Sequence, residues 1–122
     1  MVKILYVEDD EFAREMMKKK IEKVLPVEVV AEGDSANALK KVEEVEAVIL
    51  DTILFNQTSG PGSGPAIARI IYSQRPELPI FVVGDPREYP VPVKGYFPKP
   101  KIFASDEKFG EFIEALKKSL KL

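Results

Sequence analysis

Three acidic residues stand together at Glu8-Asp9-Asp10, a fourth lies at Asp51, and a lysine, Lys99, sits near the other end of the chain. Each acidic group closes an apolar run: Ile4-Leu5-Tyr6-Val7 leads into Glu8, and Ala47-Val48-Ile49-Leu50 into Asp51. Carboxylates brought together repel, and burying them without a counter-charge is costly. A divalent cation removes that conflict, and a nearby lysine can balance charge when an anion arrives. The chain contains no histidine and no cysteine. That excludes disulfides, thiolate chemistry, a Ser-His triad and the usual zinc ligands. Any metal must therefore be held by oxygen, which selects a hard cation such as magnesium or calcium. Asp10 by itself reads as a helix N-cap, but acids after two apolar runs plus the distant lysine form a set that capping does not explain.

These side chains can meet only if the elements that carry them are neighbours. Ile4–Val7 is continuously apolar, as expected of a strand buried on both faces. Residues 11–25 then place Ala13, Met16, Met17, Ile21, Val24 and Leu25 at helical spacing, with Pro26 as the stop. A second strand is predicted at Val27–Val30, and a helix capped by Asp34 or Ser35 carries Ala38, Leu39 and Val42. Ala47–Leu50 is a third strand. A helix beginning near Pro65 carries Ile67, Ile70 and Ile71. Ile80–Val83 is a fourth strand and Gly95–Phe97 a short fifth. The last helix is capped by Ser105, with Asp106 and Glu107 at the positive end of its dipole and Phe109, Phe112, Ile113, Leu116 and Leu120 along one face. Strands alternating with helices predict an α/β fold, a doubly wound parallel sheet with helices on both faces. In such sheets the working site lies beyond the carboxyl ends of the strands, where strand order reverses. The acids after the first and third runs would meet there.

A length of 122 residues with 45% apolar content fits a single domain spanning residues 1–122. The formal charge of −2 points to neither nucleic acid nor an anionic membrane as partner. No run has membrane-spanning length and the N-terminus does not read as a secretory leader, so a cytoplasmic location is expected. Lys18-Lys19-Lys20 and Lys117-Lys118 read as solvated helix faces.

Val7-Glu8-Asp9-Asp10, Val48-Ile49-Leu50-Asp51 and Gly95-Tyr96-Phe97-Pro98-Lys99-Pro100 resemble, in this order, the signature blocks of two-component response-regulator receiver domains. The likeness covers nearly the whole chain. It implies a flavodoxin-like five-stranded parallel sheet in the order 2-1-3-4-5. It further implies that Asp51 is the phosphoacceptor of a phosphorelay and that Mg2+ is held by Glu8, Asp9, Asp51 and the backbone carbonyl of Ile53, with Asp9 the more direct of the acidic pair. Lys99 would pair with the phosphoryl group, the Lys99–Pro100 bond would be cis, and Tyr96 would be the aromatic switch residue, although it reads equally as a half-buried tyrosine on an edge strand. The partners implied are a sensor histidine kinase or phosphotransfer protein as donor and a downstream protein effector. On this reading the chain is a signalling phosphoacceptor with at most self-catalysed phosphoryl transfer and hydrolysis, not a metabolic enzyme.

Three features depart from the family pattern. Gly84 stands where receivers carry Thr or Ser, so a hydroxyl is missing, and Gly84→Thr is expected to restore it together with its coupling to Tyr96. The interval from Gly84 to Lys99 is short and holds Pro86, Pro90 and Pro92, so the fourth helix is expected to be shortened or missing. Residues 52–64 form an unusually long connection, expected to overhang the acidic pocket as a flexible loop. Its Ser59-Gly60-Pro61-Gly62-Ser63-Gly64 lacks the Gly-Lys-Ser/Thr ending of a phosphate-binding P-loop. These departures keep a second reading open, a phosphorylation-independent pseudo-receiver acting as a protein-interaction module. A haloacid-dehalogenase-type phosphatase would need a second Asp two residues after Asp51, where Ile53 stands.

Overall fold

Five apolar runs form five strands, the first four joined in turn by helices that begin at side-chain caps. In chain order the elements are β1 (Val2–Val7), α1 (Glu11–Val24), β2 (Val27–Glu32), α2 (Ser35–Leu39), a 3-10 turn (Val42–Glu44), β3 (Ala47–Asp51), α3 (Gly64–Gln74), β4 (Ile80–Val83), β5 (Tyr96–Phe97) and α4 (Asp106–Leu120). The computed structural model describes residues 1–54, 60–84, 88–99 and 104–122. The caps follow the sequence: Asp10 accepts from the Ala13 N–H, Asp34 from Asn37, Ser63 from Ala66 and Ser105 from Lys108. Each satisfies a backbone donor that a helix start leaves without an intrahelical partner.

All five strands are parallel in one sheet, in the order β2-β1-β3-β4-β5. The doubly wound expectation and its strand order are therefore met. Successive residues of the central strands point to opposite faces, and both faces are covered. Ile4, Tyr6, Ala47, Ile49, Phe81 and Val83 join Met17 and Ile21 of α1 and Phe109, Phe112 and Leu116 of α4 on one side. Leu5, Val7, Val48, Leu50, Ile80 and Val82 pack with Ala38, Val42, Ile67, Ala68 and Ile71 on the other. Burial on both faces explains why these strands read as continuous apolar runs. Phe112 touches the rings of Phe81, Phe97 and Phe109, with centroids 6.5, 5.0 and 6.3 Å away.

Some sequence expectations need correcting. Val24 is exposed, because the helical face that reaches the sheet runs through Ala13, Met17 and Ile21 to Leu25, and Val24 turns away from it. The lysines of α1 are not all free in solvent: Lys18 bonds Glu22 and the Val29 carbonyl, and Lys20 lies 4.5 Å over the Phe109 ring. Between β4 and β5 the described residues 88–95 form no helix. Tyr89, Val91 and Val93 instead pack against the core in alternation with the exposed Glu88, Pro90, Pro92 and Lys94. That spacing of two is the pattern of an extended chain, which prolines accommodate and a helix does not.

Candidate functional site

Because β1 and β3 are adjacent and parallel, with Val7 opposite Leu50, the residues following them emerge side by side at the carboxyl edge of the sheet. The chain leaves β1 toward β2 on one side of the sheet and leaves β3 toward β4 on the other, so the order reverses here. Carboxylate oxygens of Glu8, Asp9 and Asp51 all lie within 4.8 Å of one another. Glu8 is fully buried and Asp51 nearly so. Asp10 turns away to cap α1, as its position implied.

Lys99 enters from beyond β5 and supplies the counter-charge. Its Nζ lies 2.5 Å from Glu8 Oε1 and 3.1 Å from Asp51 Oδ2. Burial disfavours its charge, but the bonds to Glu8 and Asp51 prevail and raise its pKa. Burial and a hydrogen bond shared with Asp51 push the Glu8 carboxyl up to about 7, against the pull of Lys99. Glu8 therefore holds a proton to higher pH than an ordinary carboxyl in the absence of a cation. An all-oxygen donor set this close suits a hard divalent ion, so the residues fit magnesium. Ile53, two residues past the end of β3, forms an isolated antiparallel bridge with Ser63, which ties the base of the long 52–64 connection. Of the 52–64 connection expected to overhang the pocket, residues 55–59 lie outside the described residues. So does the Lys99–Pro100 peptide, expected to be cis, since Pro100 is not among the described residues.

Two contacts at the cluster escaped the sequence reading. Tyr6, buried in β1, donates its hydroxyl to Glu8 Oε1 at 3.0 Å. Burial, reinforced by the Glu8 charge, raises the Tyr6 phenol so far that it remains a donor. The signal was available: residues two apart on a strand share a face, so Tyr6 and Glu8 had to point the same way. Arg14 reaches back from α1 to donate to the Glu8 carbonyl at 2.8 Å, and it lies over Gly33, where a Cβ would stand 2.3 Å from Nη1.

The β4–β5 edge is built differently. Gly84 follows β4 with φ +115, and an added Cβ would stand 2.6 Å from Asp51 Oδ1. A side chain at residue 84 would press on the Asp51 carboxylate from a backbone conformation that favours glycine, so Gly84→Thr would carry strain that the sequence does not announce. Tyr96 is 41% exposed on the two-residue edge strand β5. Its ring meets that of Tyr89 edge-on, with centroids 5.9 Å apart. Tyr89 is buried, and its hydroxyl lies 3.1 Å from that of Thr52, the residue after Asp51.

No protein-family model matches the chain, and no curated protein matches it in sequence. Solved structures do. The signal receiver domain of an HD-domain-containing protein from Pseudomonas fluorescens Pf-5 superposes with a TM-score of 0.78 at 23% identity, covering 98% of this chain and 94% of the other. The fold is that of a receiver domain. The non-phosphorylated HemR receiver domain from Leptospira biflexa gives 0.77 at 22% identity over 100% and 96% of the two chains. A response-regulator receiver domain protein from Clostridium thermocellum gives 0.69 at 18% over the full length of both. The likeness extends over whole receiver domains while the sequences have diverged widely. Within that receiver fold, the extended segment 88–95 lies where the sequence reading expected the fourth helix to be shortened or missing. Among the described residues no helix is long and apolar enough to cross a membrane.

Proposed function

We propose that this chain is a phosphoacceptor of a two-component phosphorelay, in which Asp51 takes a phosphoryl group with Mg2+ and thereby switches a partner interaction. The observation that carries this reading is the convergence of Asp51 with Glu8 and Asp9 while Lys99 Nζ lies 3.1 Å from Asp51 Oδ2. Mg2+ would be held by Glu8, Asp9, Asp51 and the backbone carbonyl of Ile53, and when bound it would supply positive charge to the oxygens of the transferring group. The chain's own residues supply nucleophile, counter-charge and space. A carboxylate oxygen of Asp51 attacks phosphorus. The bond between phosphorus and the imidazole nitrogen of the donor breaks, and the imidazole leaves with the electron pair and gains a proton. Lys99 offsets the negative charge that arrives at Asp51. Glu8 would have to be deprotonated to hold the cation. Gly84 keeps the neighbourhood of Asp51 Oδ1 clear of any side chain.

A sensor histidine kinase or phosphotransfer protein would be the donor, and a downstream protein effector the reader. The test is intact mass after incubation with acetyl phosphate and magnesium. One phosphoryl group is expected on the wild type, and none after chelation of the metal or on Asp51→Asn. An unmodified wild type would contradict the reading and leave the chain as a phosphorylation-independent interaction module.

A further inference from the structure

We infer that Tyr89 is the positioning residue through which the charge at Asp51 is conveyed to the β4–β5 edge, by way of its hydroxyl pair with Thr52. The inference rests on Asp51 being the phosphoacceptor and adds the route by which its modification would be felt.

Four observations converge on Tyr89. Its ring is 7% exposed although Glu88 and Pro90 on either side are exposed, so this side chain is inserted into the fold while its neighbours are not. Its hydroxyl ends 3.1 Å from Thr52 Oγ1, and Thr52 is buried and covalently next to Asp51. The insertion depends on a glycine: a Cβ on Gly64 would stand 2.2 Å from Tyr89 Oη and 2.6 Å from the Asp51 carbonyl oxygen. The phenol hydroxyl, the Asp51 main chain and the first residue of α3 therefore meet at one point. Finally, the Tyr89 ring is edge-on to Tyr96, which is exposed on β5.

Residue 84 itself cannot take this part, because glycine has no side chain, and an added Cβ would stand 2.6 Å from Asp51 Oδ1. A tyrosine and a threonine hydroxyl are each both donor and acceptor. The direction of their mutual bond can reverse without moving a heavy atom. Burial first, and then the Asp51 charge, push the Tyr89 phenol up to about 12 against the Thr52 bond, so the hydroxyl stays protonated within the field of Asp51. Added negative charge at Asp51 favours the bond direction that leaves the unshared hydroxyl hydrogen nearer to it, and it re-weights the position of the Tyr89 ring against Tyr96. The segment that carries Tyr89 also carries Val91 and Val93, which pack on the same core, so a shift of the ring bears on the whole extended stretch.

The test compares amide spectra with and without beryllofluoride and magnesium for the wild type, Tyr89→Phe, Thr52→Val and Thr52→Ser. The wild type is expected to respond at Glu8, Asp9, Tyr89, Val91 and Tyr96. Tyr89→Phe keeps the ring but removes the hydroxyl, and Thr52→Val removes the other half of the pair. Each should keep the response at Glu8 and Asp9 and lose it at Val91 and Tyr96, whereas Thr52→Ser, which retains a hydroxyl, should keep both. Full Tyr96 responses in either hydroxyl-deleted variant would overturn the inference while leaving the proposed function intact. A wild type silent at Glu8 and Asp9 as well would overturn the proposed function, and the inference with it.

Discussion

The two edges of the sheet's carboxyl end are built to different rules. At the β1–β3 edge, central strands covered on both faces deliver Glu8, Asp9 and Asp51 to one point, and Lys99 offsets part of their charge through Glu8 and Asp51. At the β4–β5 edge, the strand is two residues long, a glycine passes against Asp51, and an extended proline-bearing segment inserts a tyrosine beside Thr52. The first edge carries the acids and the lysine by which the sequence resembles receiver domains. The second carries Gly84 where that resemblance would place Thr or Ser, and an extended segment where it would place a helix. The comparison teaches that central strands covered on both faces can hold a cluster of charges at one point, while a short edge strand leaves its contacts to the segment that precedes it.

The largest effect is expected at the first edge. Lys99→Met strands the fully buried Glu8 beside Asp51 and, in metal-free protein at pH 8, should destabilise by about 2–4 kcal/mol, since removing one partner of a buried pair leaves an uncompensated charge. Denaturant melts with and without magnesium check this. Magnesium should recover much of the loss, and an unchanged metal-free melt would break the claim that charge balance holds this edge together.

The pH dependence of the same edge is the next largest. A Glu8 carboxyl at about 7, above the ordinary 4.5, means that between these values the folded protein holds a proton the unfolded chain has released. The contribution is fully present below about 4.5 and is lost as pH rises through about 7. Its size is up to roughly 3 kcal/mol in metal-free protein. Melts across this range for the wild type and Glu8→Gln measure it, and the variant should lose that slope. Magnesium should stabilise more at pH 8 than at pH 6, because its binding competes with that proton.

The third prediction sharpens the contrast from the other side. Gly84→Ala places a Cβ against Asp51 Oδ1 on a backbone of positive φ and should destabilise by about 2 kcal/mol while slowing acetyl-phosphate labelling of Asp51. A stable, fully reactive Gly84→Ala would show that the second edge is not sterically tied to the first. The smallest effect is expected for Tyr6→Phe, which deletes one hydrogen bond to Glu8 and should cost about 1 kcal/mol, visible as a lower melting temperature.

The unequal legibility of the two edges has a physical cause. Strands buried on both faces must be apolar throughout, so Ile4–Val7, Ala47–Leu50 and Ile80–Val83 announced themselves, and the acids that end the first two could only lie at the sheet's edge. Helix starts were legible because a cap needs Asp, Ser or a similar side chain, as Asp10, Asp34 and Ser105 supply. Gly84 was noticed for the hydroxyl it lacks, but its positive φ and its closeness to Asp51 arise from the path of the chain between two strands, which no local pattern encodes. Tyr89 carried a fainter signal. Tyr89-Pro90-Val91-Pro92-Val93 alternates apolar side chains with prolines, the pattern of an extended chain with one face inward, but nothing in that pattern says what the inward tyrosine meets. Tyr6 was hidden for the opposite reason, since a tyrosine inside an apolar run passes for core until its hydroxyl finds a partner.

The central claim is that Asp51, among the clustered carboxylates, is the one that accepts phosphoryl. Borohydride reduction of the acyl phosphate after acetyl-phosphate labelling, followed by peptide mass mapping, tests it most directly. The account predicts a single reduced residue at Asp51, dependent on magnesium and absent from Asp51→Asn. Reduction at Glu8 or Asp9 instead, or none anywhere in a protein that binds magnesium, would contradict it.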